Sequence, residues 1–595
     1  MKRLFTILWL VILCSPAALA AHGEPPGAYD HKPFLQGLAG NFHKKVVRNL
    51  KLDKLSDLPL YQIDIELDAI LGTFKLHQEV NYKNNFPEPL NELVFRTYPN
   101  TASLLGDRKR NLSIEKTTIN GEPARCEEIN PTAWRITLPE ALEPGQRVLI
   151  GMEVSAVVPR IRGDATSAAG MQNVMTEMMG KQSNEGYGVF AHHKGIFNLG
   201  HFFPIIPARH EGRFDSSAPS GMGDVANFDV ANYLIKMRVP KTMRVASSGL
   251  QVGEQAMGPG PGALKEIYLM GAALRDFAIQ ASTRYRIHEK KAGRVKLRAF
   301  VLSGREEQAP SMLERSADCM KIYSKFFGPY PYPEFDIVQA PLVGGAGGME
   351  YPGMVTVAAA LSDKRATGPM GALMARLMES TGTVEFVIAH EVAHQWFNVL
   401  VGSDSGRHPY MDEALANYAA VMYFEKRHGS KAASRQVQME LVMPYQLYRM
   451  MGGRDGIVDR PVGQFSSQLE YAAMVYGKGA MFFHFLRRAL GKRVFVNRLR
   501  TYVSGYSFRR AAPADLRRSF MRGKKRARVK KLFERWLKGR HGDEDIGKLN
   551  MGDMKKLMAQ IQQLQGFHNI KIDGSLDAAT MRLFQQAIDN LAGQP

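Results

Sequence analysis

His390-Glu391-Val392-Ala393-His394 is the stretch that decides how this chain is read. It sits in an apolar run, and the spacing predicts one long buried helix over 383–401, ended by Gly402. On a helix, positions i and i+4 share a face one turn apart, so the two imidazoles point the same way. Side chains so placed can both reach one Zn²⁺ at about 2.0–2.1 Å. Glu391, between them, stands where a carboxylate reaches water rather than the metal.

A catalytic zinc site has three protein ligands and an open position. Glu413 is the candidate third ligand, nineteen positions after His394 in Tyr410-Met411-Asp412-Glu413-Ala414. It belongs to a second predicted helix over 409–427, stopped by His428 and Gly429 and preceded by a turn-rich connection from Gly402 to Pro409. A helical hairpin would return its carboxylate to the two histidines. The five-residue pattern alone arises by chance in roughly one such chain in fifty, and with Glu413 at its offset in about one in a thousand. That outweighs a reading as two core histidines satisfied by hydrogen bonds.

Outward from this site, the N-terminal half changes period. Ile63, Ile65 and Leu67 alternate with Asp64 and Glu66, and Phe74, Leu76, Val80 and Tyr82 share one face. Strand-like runs recur near 92–98, 134–138, 147–158, 233–239 and 266–271, with turn signals such as Asn120-Gly121 between them. Such spacing predicts a β-sandwich-like domain over 46–285. Residues 21–45, rich in Gly, Pro and His, read as a linker. The Met-rich stretch Met171 to Met179 reads as an insertion or as packing against apolar surface. A strand over 294–302 and a helix over 309–327, stopped by Gly328-Pro329, open a mainly α region that continues to about 540.

Composition excludes several classes. The chain has 595 residues, 45% apolar and 23% charged, which is ordinary for a folded protein and long enough for several cores. Three cysteines are too few for a disulfide scaffold. Cys126 and Cys319 are left open as a pair or as two buried thiols. The formal charge of +21 favours anionic surfaces such as membrane or cell-wall polymers. No nucleic-acid partner is expected, because RNA-recognition, zinc-finger and basic-zipper signatures are lacking. The basic stretch from Arg509 to Arg540 reads as a solvated helix face, with Leu532, Phe533 and Trp536 at helical spacing. Lys2-Arg3, the run from Leu4 to Leu13 and Ala18-Leu19-Ala20 form a secretory signal peptide over 1–20, so the expectation is an exported protein, periplasmic or extracellular.

At His390, Glu391, His394 and Glu413 the sequence resembles the aminopeptidase-N-like zinc metallopeptidases, gluzincins with H-E-x-x-H, eighteen residues, then Glu. Gly347-Gly348-Met349-Glu350 is similar to that family's G-A-M-E-N motif, which implies substrate binding by Gly347, Gly348, Met349 and Glu350, with Glu350 as the anchor for a free amino terminus. Tyr476-Gly477-Lys478-Gly479 resembles its Y-x-K-G, which implies that Tyr476 stabilises an oxyanion. The chain departs from the pattern at Tyr351, which stands for the Asn of G-A-M-E-N, at Gly348, which stands for its Ala, and around the third ligand, where the family's W-L-N-E-G reads Tyr410-Met411-Asp412-Glu413-Ala414; these departures bear on the side-chain pocket and on efficiency. The resemblance implies an α+β multidomain fold. It places an N-terminal β-sandwich-like (saddle) domain before a thermolysin-like, mainly α catalytic domain over 286–540. It also implies one Zn²⁺ per chain, and peptide substrates with a free N-terminus. Residues 541–595 form a short helical tail that faintly resembles a peptidoglycan-binding module, through Ile561 to Leu564, Ile570 to Gly574 and Thr580. That would bring cell-wall contact. Two rivals share these residues: an envelope-binding protein on a peptidase fold, and a zinc endopeptidase or hydrolase of altered specificity.

Overall fold

The structure is a computed structural model that describes residues 27–162, 165, 186–225, 227–260, 262–363 and 381–548. The Met-rich stretch, the leader and the tail from 549 onward lie outside the described residues.

The stretch read as a linker folds. A 3-10 helix over Lys32–Gly37 leads to an α-helix over Phe42–Leu50. Phe34, Leu38, Phe42 and Val46 recur at helical spacing and are all buried. Their stripe was masked by the surrounding Gly, Pro and His. Asn232 Nδ2 donates to Tyr29 Oη at 2.7 Å, and Tyr29 donates to Leu58 O at 2.9 Å, tying the segment to the sheet.

Eight strands form the main N-terminal sheet. Leu60–Asp68 lies at its centre, parallel to Ala231–Pro240 and antiparallel to Thr73–Lys83. Ile63, Ile65 and Leu67 face the core, while Asp64 and Glu66 do not. A three-stranded sheet of Leu90–Arg96, Ala133–Leu142 and Cys126–Asn130, a four-stranded sheet and a two-stranded ribbon of Arg209–His210 and Arg213–Phe214 complete this half. Ile196–Leu199 and Ile279–Ser282, in the four-stranded sheet, are buried on both faces, which removes the period-two signal. Cys126 and Cys319 are free thiols, half-buried and buried respectively.

A second, five-stranded sheet opens the C-terminal half. It runs in the order Tyr285–Ala292, Val295–Leu302, Glu334–Ala340, Met354–Ala358 and Gly348–Tyr351, so the last of these is an edge strand. The helix Ala309–Phe327 packs on this sheet, and Tyr323 Oη donates to Ala389 O at 2.8 Å across to the next helix.

That next helix, here the histidine helix, spans Thr383–His394 and not 383–401. The apolar residues beyond His394 belong to a buried turn: Phe397, Val399, Leu400 and Val401 are each at most 3% exposed. Complete burial gives loop and helix the same apolar signature. The glutamate helix, Glu413–His428, begins after a 3-10 turn at Pro409–Met411, with the Asp412 carboxylate accepting from Glu413 N–H at 2.8 Å as its cap. Helices continue to residue 545, with π-helical turns at Val437–Val442, Ala472–Gly479 and Glu534–Lys538. Among the basic residues, Lys524, Arg526, Arg528, Lys530 and Lys531 are exposed, while Val529, Phe533 and Trp536 are buried. No helix among the described residues is long and apolar enough to cross a membrane.

Candidate active site

Two helices converge on one point. The histidine helix supplies His390 and His394, and the first residue of the glutamate helix supplies Glu413. His390 Nε2 and His394 Nε2 lie 3.0 Å apart, and each is 3.3 Å from Glu413 Oε2. Tetrahedral ligands at about 2.0–2.1 Å from a metal stand about 3.3 Å from one another. The donor separations therefore fit Zn²⁺, and this is the one such cluster among the described residues. Glu413 Oε2 is buried without a hydrogen-bond partner, as expected of a donor atom organised for a cation. His394 Nδ1 lies 3.0 Å from Phe397 O, which fixes the ring so that Nε2 faces the cluster.

Without a cation the electrostatics are divided. Burial pulls the His390 pKa down. It opposes the charge on His394 as well, but Glu350 and Glu413 outweigh it and push that pKa well up. Burial also resists ionisation of Glu413, yet its two histidine partners keep its carboxyl far below the usual range. Glu391 is pushed well up, first by burial and then by the Glu350 charge.

The edge strand explains the Gly347–Tyr351 segment through its alternation. Gly348 and Glu350 face the histidine helix. A methyl placed on Gly348 would lie 2.4 Å from Glu391 Oε1, and Glu350 Oε1 is 3.6 Å from His394 Nδ1. Met349 and Tyr351 face the other way, against a core that includes Phe300 and Val338. Tyr351 is 1% exposed, so the residue that departs from the motif fills the core and not the substrate pocket. Gly347 packs on the histidine helix, since a Cβ there would be 3.2 Å from Val387.

Tyr476 lies on the π-helical turn Ala472–Gly479, its ring 5.8 Å from that of His390. Burial, and then the Glu413 carboxylate it faces, push its pKa well up, so the hydroxyl remains a donor. Two glycines let this turn approach closely. A Cβ on Gly479 would lie 2.9 Å from that of Ala414, beside Glu413, and one on Gly477 would lie 2.9 Å from Leu441 O. Lys478 is fully buried and donates to Asp455 at 2.8 Å, Gly456 O at 2.8 Å and Gly539 O at 2.9 Å.

Several neighbours carry no sequence motif. Asn398 Nδ2 bridges Glu350 Oε1 at 2.9 Å and Asp224 Oδ2 at 3.0 Å. Asp224 comes from the N-terminal half, whose segment around it walls the site. There Gly223 N–H donates to Tyr187 Oη at 3.1 Å, and Tyr187 donates to Gln468 at 2.9 Å. A lone Asn inside the apolar run Trp396–Val401 was the available signal for Asn398. Asp224 sits in a Ser/Gly-rich loop and gave none.

Residues 311–536 match the peptidase family M1 domain. Aminopeptidase M1-B of Oryza sativa subsp. japonica is 24% identical over 336 residues, 56% of this chain and 37% of that protein. Aminopeptidase M1 of Arabidopsis thaliana is 26% identical over 253 residues, 41% of this chain and 27% of that protein. The chain thus spans well under half the length of these curated relatives. Among solved structures, an M1 zinc metallopeptidase from Deinococcus radiodurans superposes with a TM-score of 0.54 at 17% identity, over 81% of this chain and 94% of that one. A two-domain M1 zinc metallopeptidase gives 0.56 at 17% identity, with the same coverage. These superpositions show a shared two-part, mixed α and β fold.

Proposed function

We propose that this chain, whose residues 311–536 form a peptidase family M1 domain, is an exported zinc aminopeptidase that removes N-terminal residues from peptides. The observation that carries this reading is the position of Glu350. Its carboxylate stands 3.6 Å from a metal-ligand imidazole, on the same strand face that meets Glu391. An ammonium group held there brings the adjacent carbonyl to the His390, His394 and Glu413 cluster, which favours an exopeptidase over an endopeptidase.

Bound at that cluster, Zn²⁺ supplies Lewis acidity that polarises a carbonyl and makes water nucleophilic at neutral pH. The chain's own groups do the rest. Glu350 binds and orients the substrate's charged end. Glu391 takes the proton from water and delivers it to the departing amine. Tyr476 Oη donates to the oxygen on which charge develops, a contact worth about 2.7–4 kcal/mol in comparable sites.

The test is zinc content together with hydrolysis of a panel of free-amine aminoacyl fluorogenic substrates, with and without chelator. Glu391→Gln should keep zinc and lose turnover. Full activity in that variant, or equal cleavage of N-acetylated and free peptides by the wild-type protein, overturns the assignment. Export is supported by the charged, apolar and small-residue order of residues 1–20. Cell-wall contact is supported only by the pattern from Ile561 to Thr580 and by the basic charge. A pull-down of the full chain with purified sacculi, against one truncated after 548, tests it. Equal recovery of the two at low salt removes the proposal.

A further inference from the structure

Asp68-Ala69-Ile70-Leu71-Gly72 joins the first two strands of the main sheet, and its tip is aliphatic where a hairpin turn ordinarily carries polar residues or glycine. Ile70 is 94% exposed and Leu71 71%, while every other large apolar side chain among the described residues is at most 45% exposed. Single aliphatic side chains scattered over a surface are ordinary. Two adjacent ones standing clear of it at one point are not.

The turn is rigid. Asp68 Oδ1 accepts from the Ile70 and Leu71 N–H groups at 2.9 Å each, and Gly72 N–H donates to Asp68 O at 2.9 Å. Gly72 has a left-handed backbone with φ of 68°, and its carbonyl accepts from Val158 N–H at 2.8 Å. The amides of Ile70, Leu71 and Gly72 therefore all have partners inside the chain. The tip can leave water without stranding these donors, and it has little conformational freedom to lose.

Cations flank it. Arg160, two residues after Val158, forms a backbone bridge to His192, whose ring packs on Gly72; a Cβ there would lie 2.9 Å from Nε2. Burial, and then the Arg160, His193 and Arg108 charges, hold the His192 pKa below its ordinary value. Arg108 and Arg160 are both exposed, as are Lys109 and Arg162. Of the acidic residues beside them in sequence, Asp68 is engaged by the turn amides and Asp107 stands 3.8 Å from Arg162. The surplus is positive, as it is for the whole chain at +21.

A rigid aliphatic knob within a cationic collar matches a bilayer that bears anionic lipids. A soluble polyanion would leave Ile70 and Leu71 in water, and an apolar pocket on a protein partner would leave the collar unused. We propose that this hairpin tip is a membrane-docking knob, which inserts Ile70 and Leu71 into an anionic bilayer surface while Arg108 and Arg160 contact the headgroup phosphates. It stands independently of the chemistry at His390, His394 and Glu413.

The experiment is co-sedimentation with phosphatidylcholine vesicles, pure or with about 30% phosphatidylglycerol, at low and high salt. The protein is used without residues 1–20, because the apolar run Leu4 to Leu13 would bind lipid on its own. It should bind the mixed vesicles, bind the pure ones roughly tenfold or more weakly, and lose affinity as salt rises. Ile70→Ser with Leu71→Ser should weaken binding to the mixed vesicles at least roughly tenfold. The melting temperature should not change, because both side chains already face water. Arg108→Gln with Arg160→Gln should weaken binding roughly tenfold at low salt and little at high salt. Leu71→Trp reports insertion: its emission, taken as the difference from the wild-type spectrum, should shift to the blue on mixed vesicles. Absence of wild-type binding at low salt overturns the proposal. So does undiminished binding in the double serine variant, which places the contact on another basic face. Unshifted tryptophan emission means adsorption without insertion and overturns it as well. A dimer in sedimentation that the serine variant dissolves assigns the knob to a second copy of the chain, with the same consequence.

Discussion

Lys478→Met replaces a fully buried ammonium by an apolar side chain of similar length, two residues from Tyr476. In the native protein the ammonium uses all three donors, on Asp455, Gly456 O and Gly539 O. Asp455 would keep one partner, Gly542 N–H at 2.8 Å, and would be left as a buried carboxylate facing a methyl group. Breaking a buried ion pair from one side costs about 3–5 kcal/mol. The loss should fall on the site, because Lys478 ties the π-helical turn to the 455 loop and to the chain near Gly539. With Tyr476 released from that clamp, kcat should fall by at least roughly tenfold, up to the full value of an oxyanion donor. The assay is urea unfolding of the single variants, Lys478→Met and Asp455→Asn, and of the double variant, with kcat measured on each. The double variant removes both charges, so it should lose less than the singles combined, with a coupling of about 2 kcal/mol. A loss below about 1 kcal/mol in Lys478→Met, or strict additivity, would refute the reasoning.

Two further outcomes follow from the geometry. Gly348→Ala puts a methyl group 2.4–2.6 Å from Oε1, Cδ and Cγ of Glu391, so the carboxylate must swing away. Turnover should fall about 10- to 100-fold with zinc retained, and a wild-type kcat would show that Glu391 works from another position. Glu440, half-buried and without an ion pair among the described residues, has its pKa raised from 4.5 to about 7 by burial. The folded chain then holds this proton where the unfolded chain has released it, so the contribution of Glu440 to stability is greatest below pH 4.5, falls between pH 4.5 and 7, and is level above. Glu440→Gln should flatten that slope and add about 1–2 kcal/mol at pH 8. An unchanged slope in denaturation measured across this range would refute it.

The legibility of the site varies with the range of the interactions involved. The alternation at Ile63, Ile65 and Leu67 survived into the structure because only one face of that strand is buried. The linker reading over 21–45 failed at Phe34, Leu38 and Phe42, where composition hid an apolar stripe that Val46 continues. The helix expected over 383–401 ends at His394, because complete burial erases the difference in sequence between a helix and a packed turn. Tyr351, a departure within a motif, looked like a change to the substrate pocket. The pleat turns it into the core.

The sequence by itself determined what one or two turns of helix can determine. His390 and His394 share a face because the α-helical repeat is local, and Glu413 follows from a short hairpin of two such helices. Glu391 comes with them for the same reason. Only the tertiary structure decided what surrounds these groups. Asn398 meets Asp224 across 174 residues of sequence, and Lys478 meets Gly539 across 61. Those contacts depend on docking between the two halves and on the buried turn after His394. No local period records them, because the forces that make them act on positions brought together only by the fold.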